Sequence, residues 1–113
     1  MRVQKRKKIR KFIANKDTNV ILSDVGKIIL NKNEHLTIQA NNKKNEICMM
    51  EWGLYATSSI NNRLKKEGFE TALVKNSFNK FFIMIVDNNK KKIFFKYCKK
   101  ESIKVVQWLD KMK

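Results

Sequence analysis

The chain has 113 residues, a length that fits one small domain with a modest core and leaves little room for a large substrate cleft. Apolar residues make up 42% of the sequence, which excludes a disordered chain, and no apolar run approaches the ~20 residues needed to cross a membrane. Lys and Arg number 26 against 10 Asp and Glu, a net charge of +16 that favours anionic partners.

The first 16 residues form a basic block that carries half of the net charge. They contain eight Lys and Arg and no acid. Because like charges this close repel one another, we predict a flexible arm over 1–16, mobile or a short frayed helix, ahead of a single α+β domain over 17–113. An arm of this kind can track nucleic-acid phosphates. The residues that would do so are Lys5, Arg6, Lys7, Lys8, Arg10 and Lys11.

Residues 19–52 are predicted to form an antiparallel β-meander. The apolar runs that indicate its strands cover 20–22, 27–30, 35–40 and 46–52. Polar, turn-forming segments separate these runs at intervals typical of short antiparallel strands. Leu36 and Ile38 alternate with polar residues, which is the pattern of a strand with one buried face.

A helix and a strand are predicted next. The hydroxyl residues at 57–59 offer oxygens that can cap a helix, and Ile60 and Leu64 then lie on one helical face. Gly68 has the position of the residue that ends such a helix in the left-handed region. The alternating segment 69–75 is predicted to be a strand.

The last third of the chain repeats the order strand, helix, strand. The segment 81–86 is apolar on both faces, which predicts a central strand. Asp87 can cap a second helix, in which Ile93 and Tyr97 share an apolar face and lysines cover the rest. The final strand is predicted over 103–109.

The order of elements from residue 46 onward is therefore predicted to be βαββαβ. That order resembles ferredoxin-like folds, in which an antiparallel sheet carries two helices on one face. The predicted fold class is α+β, with an N-terminal β-meander followed by this unit. RNA-recognition motifs share the order, but their glycines between aromatics are missing beside Phe81 and Phe82, so these two residues are interpreted as core.

The sequence contains no recognisable catalytic constellation. His35 is the only histidine, the glycines are isolated, and no His/Cys cluster has zinc-site spacing. Cys48 and Cys98 are the only cysteines and are interpreted as free thiols in a reducing compartment. We therefore expect no metal and no cofactor. The protein is interpreted as non-catalytic, and a small enzyme completed at an oligomer interface is the alternative.

The segment 51–64, followed by Gly68-Phe69 and by 72–76, resembles a family of small uncharacterised bacterial proteins associated with surface-polysaccharide gene clusters. The resemblance covers about residues 34–109, although a Pro usual near Ser58 is missing. It implies a functional patch over Trp52–Arg63, where a strand-to-helix turn could receive an anion on its backbone N–H groups. The candidate binding residues are Trp52, Tyr55, Thr57, Ser58, Asn61 and Arg63.

These observations predict a small cytoplasmic accessory protein that binds an anionic partner, either a protein or a sugar-phosphate, through the Trp52–Arg63 patch and nearby lysines. The alternative is a nucleic-acid-binding protein that uses the basic arm. A second alternative reading makes Trp52 and Tyr55 core residues and Thr57 or Ser58 a helix cap. Because 22 of the 26 cations are Lys, the charge favours diffuse attraction, and A/T-rich codon usage alone would also raise the Lys content. Homo-oligomerisation stays open.

Overall fold

The computed structural model describes residues 1–15 and 18–113. Within these ranges, the chain forms eight β-strands and two α-helices. The strands are β1 Arg2–Asn15, β2 Val20–Ile29, β3 His35–Ala40, β4 Lys43–Met50, β5 Gly53–Ala56, β6 Phe69–Lys75, β7 Phe81–Asp87 and β8 Lys104–Trp108. The helices are α1 Arg63–Lys66 and α2 Lys91–Lys100, and 3₁₀ turns cover Asn88–Lys90 and Leu109–Lys111.

The strands belong to three sheets. Strands β1 and β2 form a two-stranded ribbon, β3, β4 and β5 form a sheet in that order, and a third sheet has the order β7-β6-β8. Strand β1 pairs antiparallel with β2, and β6 pairs antiparallel with both of its neighbours. The predicted α+β class is confirmed. The ferredoxin-like arrangement is not confirmed, since the described β7-β6-β8 sheet has three strands.

The described residues divide into two compact units. Unit 1 contains Met1–His35 and Cys48–Tyr55, and unit 2 contains Leu36–Ile47 and Ala56–Lys113. The boundaries predicted from the sequence, an arm over 1–16 and a domain over 17–113, do not coincide with this division and stay predictions. Lys16, the last residue of the predicted arm, lies outside the described ranges.

In unit 1, the basic N-terminal residues form a strand where the sequence predicted a mobile segment or a frayed helix. The strand pairs with β2, on which the Asp24 carboxylate forms ion pairs with Arg6 at 2.9 Å and with Arg10 at 3.3 Å. The register shifts between Lys5, opposite Gly26, and Arg10, opposite Asp24, so β1 bulges there. A cross-strand acid thus offsets part of the repulsion within the basic run.

The core of unit 2 lies on β6. Ala72 and Val74 on this strand are completely buried, and α1 and the 3₁₀ turn Leu109–Lys111 pack against β6. The prediction that 81–86 is the central strand is wrong. In the described chain β7 pairs only with β6, and Phe81 and Ile83 are largely exposed, so β7 is an edge strand.

The turn between α1 and β6 is built around Gly68. Its φ of +94° confirms the predicted left-handed helix end. Lys43 lies directly beside it and donates hydrogen bonds to the Gly68 carbonyl at 3.1 Å and to Asp87 Oδ1 at 2.6 Å. A Cβ on Gly68 would lie only 2.6 Å from Lys43 Nζ, so the absence of a side chain permits this ion pair.

Helix α2 follows a cap that the sequence identified. The Asp87 carboxylate accepts a hydrogen bond from the Asn89 N–H at 3.0 Å at the start of the 3₁₀ turn that leads into the helix. Cys98 is buried, whereas Ile93 and Tyr97 of the predicted apolar face are exposed. Among the described helices, neither is long and apolar enough to cross a membrane.

Candidate functional site

The six residues of the predicted patch are divided between the two units. Trp52 and Tyr55 belong to unit 1. Trp52 is 69% exposed and Tyr55 is 49% exposed. Their rings make an edge-to-face contact with centroids 6.1 Å apart. Neither residue is therefore part of a core, and the reading that made them core residues is wrong. Together they present an exposed aromatic surface with an N–H and an O–H at its polar tips.

In unit 2, Ser58 and Thr57 fasten their segment to β4. The Ser58 hydroxyl is buried and accepts a hydrogen bond from the Glu46 N–H at 3.2 Å. The Thr57 N–H donates to the Glu46 carbonyl at 3.1 Å. The Thr57 Oγ1 is buried without a hydrogen-bond partner among the described residues. Ser58 thus has a positioning role rather than an exposed binding role.

Asn62 occupies the N-cap position of α1 but makes no side-chain cap bond, and it is Ser59, rather than Thr57 or Ser58, that bonds the first N–H of the helix. The Ser59 Oγ accepts a hydrogen bond from the Arg63 N–H at 2.8 Å, and its carbonyl accepts from the Leu64 N–H at 2.9 Å. These N–H groups are therefore occupied within the chain. The strand-to-helix turn therefore does not offer the Arg63 and Leu64 N–H groups to an anion.

Arg63 lines a pocket of about 240 Å³ in unit 2. Its Nη2 forms an ion pair with Glu46 Oε2 at 2.7 Å, and the Arg63 side chain is 58% exposed. The lining residues are Lys44, Glu46, Ser58, Arg63, Lys66 and Glu67. Three cations thus face two carboxylates, which leaves an excess of one positive charge. Sequence reasoning did not identify Lys44, Glu46 or Lys66, because only the folded chain brings them beside Arg63.

Asn61 is exposed and lies outside the set of residues lining that pocket. The structure therefore brings Ser58 and Arg63 of the predicted patch together in one pocket. It leaves Asn61 on the neighbouring surface of the same turn, just before α1. Of the predicted side chains in unit 2, Arg63 is the one that can offer several donors to an incoming ligand.

The six cations predicted to contact nucleic acid all lie on β1 and are exposed. Arg6 and Arg10 are paired with Asp24, and the Arg6 hydrogen bond holds the pKa of the Asp24 carboxyl below its usual value. The other four, Lys5, Lys7, Lys8 and Lys11, form no ion pair with any described residue. The basic run is thus an exposed edge of a two-stranded ribbon.

Reactive groups are sparse in the part of the chain that the structure describes. No three or more His, Cys, Asp or Glu side chains lie close enough together there to hold a metal ion. Both cysteines are free thiols, and burial raises the pKa of Cys98. The Cys98 thiol is consequently neutral near pH 7 and a poor nucleophile.

Comparison of the chain with protein-family models, with curated proteins and with solved structures gave no match. The resemblance to proteins of surface-polysaccharide gene clusters therefore stays a prediction from the sequence. The exposed aromatic pair, the Arg63 pocket and the basic ribbon are the surfaces on which a functional assignment depends.

Proposed function

We propose that this protein is a non-catalytic accessory protein that binds an anionic partner of the sugar-phosphate class through the segment Trp52–Arg63. The observation that carries the proposal is the exposure of Arg63 in a pocket lined by two further cations, Lys44 and Lys66. The same segment also contains the exposed rings of Trp52 and Tyr55.

Arg63 is suited to hold a phosphate. A guanidinium has five N–H donors in a planar fork that matches two phosphate oxygens at once. The Glu46 carboxylate contacts one of its terminal nitrogens, which orients the side chain and leaves other donors exposed. The Ser58 hydroxyl accepts a hydrogen bond from the Glu46 N–H and so connects the turn before α1 to β4. The pocket is therefore formed before a ligand binds.

Trp52 and Tyr55 are suited to contact the apolar face of a sugar ring. Trp, Tyr and Arg are the residues most enriched among binding hot spots. An acidic protein surface, which would also suit Arg63, is the alternative partner.

The test is a titration with glucose 6-phosphate and with glucose, followed by amide chemical shifts. We expect saturable shifts at residues 57–66 with the phosphate ester alone, weakened about tenfold by Arg63→Gln. Arg10→Gln removes the same charge from the ribbon and is the matched control. Equal affinities of the Arg63→Gln variant and the original chain, with both folded by thermal unfolding, would contradict the proposal.

Nucleic-acid binding is the second candidate, and a specific observation favours it. The basic run is one strand of an antiparallel two-stranded ribbon, the kind of element that fits the major groove of DNA. Four of its lysines carry no ion pair within the described chain and can contact phosphates.

A salt titration of DNA and RNA retention tests this candidate. Each phosphate contact contributes about 0.9 to the slope of log affinity against log salt, so changing Lys5, Lys7, Lys8 and Lys11 to Gln is expected to lower that slope by about 3 to 4. The control changes Lys92, Lys96, Lys100 and Lys113, which lie outside the ribbon, to Gln. Absence of salt-dependent retention by the original chain would exclude the ribbon as a nucleic-acid interface.

The finer features predicted from the sequence belong to the same proposal. They are a cytoplasmic location, a ferredoxin-like arrangement of the chain after residue 46, and a basic arm separable from a domain over 17–113. Limited proteolysis tests the last of these. Cleavage near residue 16 that leaves a folded 17–113 fragment would support a separable arm, and loss of the folded state on cleavage would contradict it.

A further inference from the structure

A cavity in unit 2 has a charge pattern that the Trp52–Arg63 segment does not account for. It has a volume of about 460 Å³ and lies between the turn that joins β6 to β7 and the turn that joins α2 to β8. This volume is in the range of small-molecule sites, about 300–1,000 Å³. We call it the lysine cavity, because Lys75, Lys99 and Lys104 line it.

The described lining of the cavity is positively charged. No carboxylate is found among the described residues that line it. None of the three lysines forms an ion pair with a described residue. Moreover, Lys75 and Lys104 are direct cross-strand partners of β6 and β8. Like charges in such a pair destabilise a sheet, and a bound anion would remove that cost.

The two turns that form the cavity are held by their own hydrogen bonds. The Asn76 Oδ1 accepts from the N–H groups of Phe78 and Lys80, each at 3.0 Å. On the other side, the Ile103 N–H donates to the Cys98 carbonyl at 2.8 Å. The cavity is therefore shaped before any ligand enters, which lowers the entropic cost of binding.

Neutral polar groups complete the lining. The lining includes the hydroxyls of Ser77 and Ser102 and the amide of Asn79. None of these side chains forms a hydrogen bond with a described residue. The Cys98 thiol also lines the cavity, and because burial raises its pKa it adds no negative charge near pH 7. The ligand therefore meets three cations and several neutral hydrogen-bonding groups.

We propose that the lysine cavity is an anion site that binds a phosphate group, either free or carried by a small polar molecule. Lys ammonium groups bind phosphate as point charges, and three of them suit a phosphate monoester of charge about −1.5 to −2 better than a singly charged carboxylate. The hydroxyls and the amide would contact the remainder of a phosphorylated ligand. This site is separate from the Arg63 pocket and does not depend on it.

The proposal is tested by amide chemical-shift titrations of the full chain at about 0.15 M ionic strength, where diffuse attraction is screened. The probes are inorganic phosphate, glucose 6-phosphate and glucose. We expect saturable shifts at residues 75–79 and 99–104 with both phosphates and none with glucose. Tighter binding of glucose 6-phosphate would assign the site to phosphorylated molecules, and equal affinity would assign it to the phosphate ion.

Matched variants separate the site from net charge. Changing Lys75, Lys99 and Lys104 to Gln is expected to weaken phosphate binding at least tenfold, whereas changing Lys92, Lys96 and Lys113 to Gln is expected to alter it less than twofold. Arg63→Gln is expected to leave the shifts at 75–79 and 99–104 intact. Thermal unfolding checks that each variant folds, and Lys99→Gln alone replaces the triple variant if that variant does not fold.

Three outcomes would overturn the proposal. Shifts that do not saturate would indicate an ion atmosphere alone. Equal losses in the two triple variants would show that only total charge matters. Saturable shifts confined to residues 57–66, with none at residues 75–79 or 99–104, would assign phosphate to the Arg63 pocket alone and leave the lysine cavity without a ligand.

Discussion

The ribbon in unit 1 and strand β6 in unit 2 contain similar apolar residues, but they bury them to very different extents. On the ribbon, Ile9, Ile21 and Ile28 are each about half exposed. On β6, Ala72 and Val74 are completely buried. The difference is due to packing, because α1 and the 3₁₀ turn Leu109–Lys111 contact β6 in addition to its neighbouring strands, whereas the main contacts of β1 are with β2. Apolar content alone therefore does not predict burial.

The same comparison separates two ways of ordering a strand. Two strands without a third are marginally stable in water, and the ribbon depends on its backbone ladder and on the ion pairs of Asp24. Strand β6 gains the hydrophobic stabilisation that follows from removing apolar surface from water. We therefore expect the two regions to differ in local stability, and the following experiments test that difference.

Hydrogen exchange is expected to show the largest contrast. Amides of Ala72 and Val74 should exchange only on global unfolding, whereas those of β1 should exchange through local opening, so the rates should differ by about a thousandfold. Mass spectrometry or NMR measures both in one sample. Equal protection of β1 and β6 would show that the ribbon unfolds together with the rest of the chain.

Leu64→Ala is expected to have the largest effect of a single substitution. Leu64 is 2% exposed, so its truncation leaves a cavity and should cost about 3 kcal/mol in the free energy of unfolding. Ile9→Ala on the ribbon removes a similar side chain that is exposed, and should cost less than about 0.5 kcal/mol. Urea unfolding followed by circular dichroism measures both. Similar costs would contradict the comparison.

Gly68→Ala is expected to have a smaller effect, about 1 to 2 kcal/mol. The substitution forces a side chain into the left-handed region and against Lys43 Nζ. Gly53→Ala is the control, since Gly53 also has positive φ but no atom within 4 Å of the added Cβ. Urea unfolding measures the free energy of unfolding of both variants. A larger loss for Gly68→Ala than for Gly53→Ala would measure the contribution of the displaced Lys43 side chain. Equal losses would show that backbone strain explains both.

Thr71→Val is expected to increase stability by about 1 kcal/mol. Thr71 is 1% exposed, and its Oγ1 has no hydrogen-bond partner among the described residues, so a methyl group of the same size removes an uncompensated polar atom. The Thr71 N–H keeps its bond to Asp110 Oδ1. Thr37→Val, at an exposed position of β3, should be neutral in the same thermal unfolding assay. A loss of stability at Thr71 would indicate that its hydroxyl is satisfied.

The smallest expected effect is on the pH dependence of stability in acid. The Lys43 hydrogen bond holds the pKa of Asp87 below its usual value, and Arg6 does the same for Asp24. A lowered pKa in the folded state adds stability above the unfolded value, about 3.9, which is lost as the pH falls through the folded pKa. Asp87→Asn should therefore flatten the decline of stability between about pH 5 and 2, whereas Asp24→Asn on the ribbon should change it less. Equal flattening would contradict this order.

Much of the fold after residue 34 could be predicted from local patterns. The strands over 35–40 and 69–75 have the predicted bounds, and Gly68 and Asp87 have the predicted turn and capping roles. These features depend on residues near one another in the sequence. The start of α1 was predicted less accurately. The helix begins at Arg63, whose N–H donates a hydrogen bond to the Ser59 hydroxyl.

Features that depend on distant partners could not be predicted. The basic run forms a strand by pairing with β2, where Asp24 lies opposite Arg10, and charge counting within 1–16 does not include that acid. The segment 81–86 is an edge strand although it is apolar on both faces, because the order of strands is a property of the whole sheet. The lysine cavity combines two turns about 25 residues apart, each of which is unremarkable alone.

The unpaired edge of β7 has a consequence for the protein in solution. Phe81, Ile83 and Ile85 are exposed on a strand whose outer side is free in the described structure, which is a template for pairing with another chain. Lys80 and Lys90 flank this strand, and charges in such positions act as gatekeepers against aggregation. We therefore expect colloidal solubility to depend on these lysines. Concentrated salt, which screens them, should make the purified protein precipitate sooner, so dilute buffers suit its storage.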